Sequence, residues 1–69
     1  MQHVLIRMER RSAQAVVLET YPTRRQALQR KRKLCSADGV VLVLSGQKWQ
    51  HLQIGDTIQK RTIKYEDFA

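Results

Sequence analysis

One stretch, Thr23 to Cys35, constrains the fold more than any other. It reads Thr-Arg-Arg-Gln-Ala-Leu-Gln-Arg-Lys-Arg-Lys-Leu-Cys, with six Arg or Lys and no Asp or Glu. Thr23 followed by Gln26 fits a capping box, in which each side chain serves a backbone N–H of the first turn. Pro22 sits before the cap, where its missing N–H does no harm. Arg, Gln, Ala, Leu and Lys are good helix formers. Gly39 is the expected stop, because a residue without a Cβ takes the left-handed closing conformation cheaply. At about 100° per residue, Ala27, Leu28, Leu34 and Cys35 share one arc, and Arg25, Gln29, Arg30, Arg32 and Lys33 share the opposite one. Lys31 points near the middle of the apolar arc, which suits a side chain that lays its methylenes on a sheet and keeps its ammonium in water.

The flanking segments have strand character. Val4 to Arg10 alternates, with Val4, Ile6 and Met8 on one face and Leu5, Arg7 and Glu9 on the other, as in a half-buried strand. Arg10 to Ala13 is a polar turn. Ala15 to Tyr21 is rich in β-branched and aromatic residues, so the two segments suit a hairpin. Val40 to Leu44 is apolar throughout and is expected as a central strand. Ser45 to Lys48 is a turn, Trp49 to Gln53 a fourth strand or ragged edge, and Thr57 to Tyr65 a fifth strand. Ile58 and Ile63 have opposite parity, so a bulge or a change of buried face lies between them. Glu66 to Ala69 reads as a short acidic tail. The order is strand, strand, helix, then three strands. It predicts an α+β domain, an antiparallel sheet of four to five strands with one helix across one face. The inner arc of the helix is expected against Val16, Leu18, Val41 or Val43.

At 69 residues the chain is one domain. Below roughly 70–80 residues a single core rarely supplies more than about 3–5 kcal/mol. One Cys excludes an internal disulfide, so a dimer or a partner-stabilised monomer is expected, and a lone Cys suits a reducing cytoplasm. The first residues lack the apolar run of a secretory signal. Val40 to Leu44 falls far short of the roughly 20 residues that span a bilayer, so no membrane is expected among the partners.

The net charge of +7 is large for this length. It points to a polyanionic partner: nucleic acid, a nucleoprotein complex or an acidic protein surface. The candidate binding residues are Arg24, Arg25, Arg30, Lys31, Arg32 and Lys33. No acidic residue at i±4 relieves their mutual repulsion, and Arg24 and Arg25 stand where the helix dipole disfavours cations. The bland reading is a solvated face that keeps a small protein soluble. Arg10, Arg11, Lys60, Arg61 and Lys64 are secondary candidates. The aromatic motifs of single-strand RNA binders are absent, so backbone contact is favoured over base reading. Trp49 reads as core, Cys35 as a small buried hydrophobe. His3 and His51 have no Cys or carboxylate at metal spacing. No cofactor, metal site or catalytic set is expected, and the chain reads as non-enzymatic.

From about Glu19 to Leu44, the hairpin, the helix opened by Thr23 with Arg/Lys outside and a Cys at its end, and Gly39 leading into Val40 to Leu44 together resemble some small phage anti-CRISPR proteins. The resemblance implies a single antiparallel sheet crossed by one helix. It also implies a stoichiometric inhibitor that docks on the guide-RNA-bearing backbone of a type I surveillance complex. Two alternatives stay open: a small DNA- or RNA-binding regulator acting as a dimer, and a protein–protein module that binds by adding a strand at a sheet edge.

Overall fold

A computed structural model describes residues 2–34 and 39–68. It is an α+β fold: one helix and four antiparallel strands in an open sheet of order β3-β1-β2-β4. The elements are β1 (His3–Glu9), β2 (Gln14–Tyr21), α1 (Arg24–Lys33), β3 (Gly39–Ser45) and β4 (Thr57–Gln59).

The sequence assigned a central place to β3, but it is β1, with β2 beside it, that lies inside the sheet. Both neighbours of β1 run antiparallel to it, so β2 and β3 run parallel to each other with β1 between them. The crossover from β2 to β3 is α1, which therefore passes over β1 and touches all three strands. This placement explains why β1 is buried on both faces rather than half-buried. Val4, Leu5 and Ile6 are all fully excluded from solvent. β3 is an edge strand. Its apolar composition comes from covering on its two faces, which does not require a neighbour on each side.

Between Leu5 and Ile6 the register with β2 slips, the partners passing from Glu19 to Val17. Leu18 is the extra residue of a bulge. The slip lets Leu18, Glu19 and Tyr21 face the helix while Ala15 and Val17 face away from it.

Helix α1 is capped by Thr23 as expected, but only half of the capping box forms, because Gln26 Oε1 meets the Thr23 hydroxyl and not its backbone N–H. The Thr23 hydroxyl accepts from the Gln26 N–H at 3.3 Å, and it also donates to Gln26 Oε1 at 3.1 Å. The helix does not end on Gly39. Leu34 closes it in an extended conformation, φ −98° and ψ 112°, its N–H bonded to the Lys31 carbonyl. Gly39 instead opens β3 opposite Glu9. A Cβ there would stand 2.3 Å from the Met8 carbonyl oxygen, so glycine is required by close backbone approach. Ala27 is buried under the helix with Leu5, Val41 and Val43, and Leu28, Leu34, Leu18 and Tyr21 pack around them. Val16 is not part of that cluster. Cys35 lies outside the described residues.

The other face of the sheet is covered by chain without regular structure. Val4, Ile6, Ala15, Val17, Leu44 and Ile58 meet Trp49 and Leu52, with Met8, Leu42, Ile63 and Phe68 packed around. The segment expected as a fourth strand forms a 3-10 turn, Gln47–Trp49, followed by irregular chain. The expected fifth strand is paired only over Thr57–Gln59, after which come 3-10 turns at Lys60–Thr62 and Tyr65–Asp67. The first of these turns carries the parity change between Ile58 and Ile63. Gly55, at φ 95°, makes the tight turn into β4, in a region where a Cβ would be strained.

The C-terminus is not a free acidic tail. Phe68 forms an isolated antiparallel bridge with Leu44. Asp67 is buried, accepting from the Lys64 N–H at 2.8 Å and pairing with Lys48 at 3.0 Å. The first residues are fastened to the same layer. Gln2 Nε2 donates to the carbonyls of Gln50 and Leu52, and Gln50 Nε2 donates back to the Gln2 carbonyl at 2.9 Å. Among the described residues no helix is long and apolar enough to cross a membrane.

Candidate nucleic-acid interface

The first turn of α1 contains no acidic residue, and its last turn contains Arg30, Lys31, Arg32 and Lys33. Arg24, Arg25, Arg30, Arg32 and Lys33 are exposed, and Lys31 is half-buried, as a side chain lying along the sheet should be. Arg30 is not a free charge. Its Nε donates to both carboxylate oxygens of Glu19 at 3.0 and 3.2 Å. The Tyr21 hydroxyl donates to the same carboxylate. Glu19, Tyr21 and Arg30 thus fasten the helix flank to β2. The Tyr21 hydrogen bond, with Arg30 behind it, holds the Glu19 carboxyl below the usual carboxylate range, and burial opposes the shift. The Tyr21 phenol is pushed up, chiefly by the same hydrogen bond. Sequence reading missed this contact because Glu19 is eleven residues from Arg30, outside any helical spacing.

The secondary candidates divide. Arg10 and Arg11 are exposed on the β1–β2 turn. Lys60 is drawn to that turn, its N–H donating to the Ala13 carbonyl at 2.9 Å and its Nζ to the Glu9 carbonyl. Arg61 follows, exposed. A groove of about 470 Å³ opens here, lined by Ala13, Gln14, Gln59, Lys60 and Arg61. Lys64 is elsewhere. It lies between Ile63 and Phe68, which pack on the face away from the helix, so it belongs to the opposite layer.

The aromatic residues offer little for stacking. Trp49 is buried, with the Lys48 ammonium 4.7 Å from its ring centroid. Its indole N–H is buried without a hydrogen-bond partner among the described residues. Tyr65 is the aromatic residue left fully in solvent. His3 Nδ1 and Ser45 Oγ share a hydrogen bond of 2.6 Å. Among the described residues no group of three or more His, Cys, Asp or Glu is placed to hold a metal ion.

The arrangement can therefore present a dense positive surface on one side of the sheet, through long side chains of which Arg30 alone meets a carboxylate among the described residues. No family model matches this chain, and no curated protein or solved structure matches it either.

Proposed function

We propose that the protein is a non-enzymatic binding protein whose basic helix contacts the phosphate backbone of nucleic acid, free or held in a nucleoprotein complex. One observation supports this above the others. Of the six basic residues of α1, only Arg30 meets a carboxylate among the described residues. Uncompensated like charges repel, and an anionic partner relieves that repulsion. The resemblance to small anti-CRISPR proteins gives the reading its specific form, an inhibitor docked on a type I surveillance complex.

The test replaces Arg25, Arg30, Arg32 and Lys33 by alanine. Binding to labelled RNA, to labelled duplex DNA and to a purified nucleoprotein is titrated at two salt concentrations. The variant should lose most of its affinity and show a shallower salt dependence, by about one unit of slope for each lost phosphate contact. Unchanged affinity with an unchanged melt would reject the helix as the contact surface.

A second reading is favoured by the edge of the sheet. β3 carries no charge and no Pro over Gly39–Ser45, Val40 is half-exposed, and Phe68 bridges only to Leu44. Open edges are normally protected by charge, Pro or a bulge. An added strand, from a partner or from a second copy of the chain, would pair here. Binding that survives neutralisation of the helix but is lost on Val40→Pro would select this reading.

A further inference from the structure

The groove at the β1–β2 turn opens on the same face of the sheet as the helix. Ala15 and Ile58 pair directly and both belong to the core on the opposite face. Neighbouring strand residues point to opposite faces, so Gln14 and Gln59, themselves a directly opposed pair, point to the helix side. The helix covers β1, β2 and β3, which leaves β4 uncovered there, and Thr57 and Gln59 are exposed.

The helix also runs towards the end of the sheet where this groove opens. It starts after Tyr21, at the end of the sheet far from the β1–β2 turn. The chain must then be back at Gly39, which pairs with Glu9 beside that turn. Leu34 and Gly39 are five residues apart, a reach of at most about 18 Å. The C-terminal turn of α1 therefore lies at the same end of the sheet as the groove, with β3 and β4 on opposite edges. Arg30 marks the flank of the helix that leans over β2, and Lys33, one turn on, lies on the same flank.

We infer that the groove formed by Gln14, Gln59, Lys60 and Arg61 is a second phosphate-binding site, which takes the same nucleic-acid strand as the Lys33 end of the helix. The inference rests on the proposed function and extends it from one contact to two. The chemistry of the lining fits a phosphodiester. Gln14 and Gln59 supply amide donors, and Arg61 supplies a planar guanidinium fork suited to phosphate oxygens. Arg10 and Arg11 add charge nearby. Lys60 is already committed to the Glu9 carbonyl and fixes the shape of the wall. Of the carboxylates close in sequence, Asp56 accepts from the Gln53 N–H at 2.9 Å, and Glu9 is paired with Arg7 at 3.1 Å. The longest dimension of the fold is 30 Å. At about 3.4 Å per step along one strand, a duplex of twelve base pairs spans it.

The experiment measures binding of a labelled twelve-base-pair duplex of mixed sequence, with polyglutamate of matched charge as the control. It compares the wild type, Gln14→Glu with Arg61→Glu, and the helix alanine variant described above. The groove variant should bind the duplex at least tenfold more weakly, with a salt slope shallower by about one and an unchanged melting temperature. Arg61→Lys should restore most of the affinity. A groove variant that binds like wild type while the helix variant fails would overturn the second site and leave the helix reading standing. Wild-type binding to polyglutamate as tight as to the duplex would overturn nucleic acid as the occupant. Should the double substitution lower the melting temperature, Arg61→Ala alone decides: an unchanged slope overturns the site.

Discussion

The two faces of the sheet are covered in different ways. On one face a regular helix buries a small cluster, Leu5, Ala27, Val41 and Val43, and carries six of the thirteen basic residues of the chain. On the other, irregular chain from Gln47 onwards buries the larger cluster around Trp49, Ile6 and Leu44. Regular structure and stability do not coincide here. The irregular layer holds most of the large buried side chains, whereas the helix is thinly anchored and free to serve as a contact surface.

Substitutions can break this comparison. The largest effect is expected for Trp49→Ala, which empties the widest site under the irregular layer and should cost about 3–5 kcal/mol. For a domain of this size that approaches the whole stability. Leu28→Ala on the helix side, where the side chain is only half-buried, should cost about 1–2 kcal/mol. Urea unfolding of the two variants side by side measures the difference, and equal losses would refute the division.

Acid provides a finer probe. Glu19 on the helix side and Asp67 on the irregular side both titrate below the ordinary carboxylate range. For Asp67 the Lys64 N–H is the main cause, with Lys48 behind it and burial opposing. A carboxyl with a lowered folded pKa adds stability that is full above its unfolded value, about 4, and is lost as pH falls through the folded value. Melting temperature should therefore fall between pH 5 and pH 2. Asp67→Asn should flatten that fall more than Glu19→Gln, because Asp67 is the more deeply buried of the two. The opposite ranking would place the acid-sensitive contact on the helix. Tyr21 has a raised pKa, so its contribution is complete below pH 10 and is lost only as pH rises through the folded value.

The smallest change in stability is expected for the outer charges. Arg25, Arg32 and Lys33 together replaced by alanine should leave the melt unchanged. Adding Arg30→Ala, which releases Glu19, should cost at most about 1 kcal/mol. Calorimetry of the triple and quadruple variants separates the two.

The helix face was also the legible one. Thr23, Gln26 and the spacing of Ala27 and Leu28 carry a local code, and α1 and the β1–β2 hairpin follow it. The irregular layer has no such code. Trp49 and Leu52 have the composition of a strand, yet their backbone bonds close short turns, Leu52 N–H to the Trp49 carbonyl at 3.3 Å among them. The Gln2–Gln50 clamp that fixes them comes from the far end of the chain. Gly39 was misread because a glycine after a helix suggests a left-handed cap, and nothing local reveals the Met8 carbonyl beside it. Of the candidate site, the helix residues were visible as a charge run. The groove floor was hidden by the polarity of Gln14 and Gln59, although their alternation with Ala15 and Ile58 could have placed both on one face.

The position of β1 bears on how the chain folds. Of the four strands the earliest in sequence, β1, lies inside the sheet, and the partners that close over it follow it along the chain, β2 at once, β3 later, Trp49 and Phe68 after that. The hairpin can form within microseconds, but one side of it stays wet until the final residues have joined it. The Gln2–Gln50 bonds join residues 48 apart. Contacts so distant slow folding and leave apolar strands exposed meanwhile. A nascent or C-terminally truncated chain therefore presents Val4, Ile6 and Leu44 to its neighbours, and its yield in the cell is governed by how quickly that last layer closes.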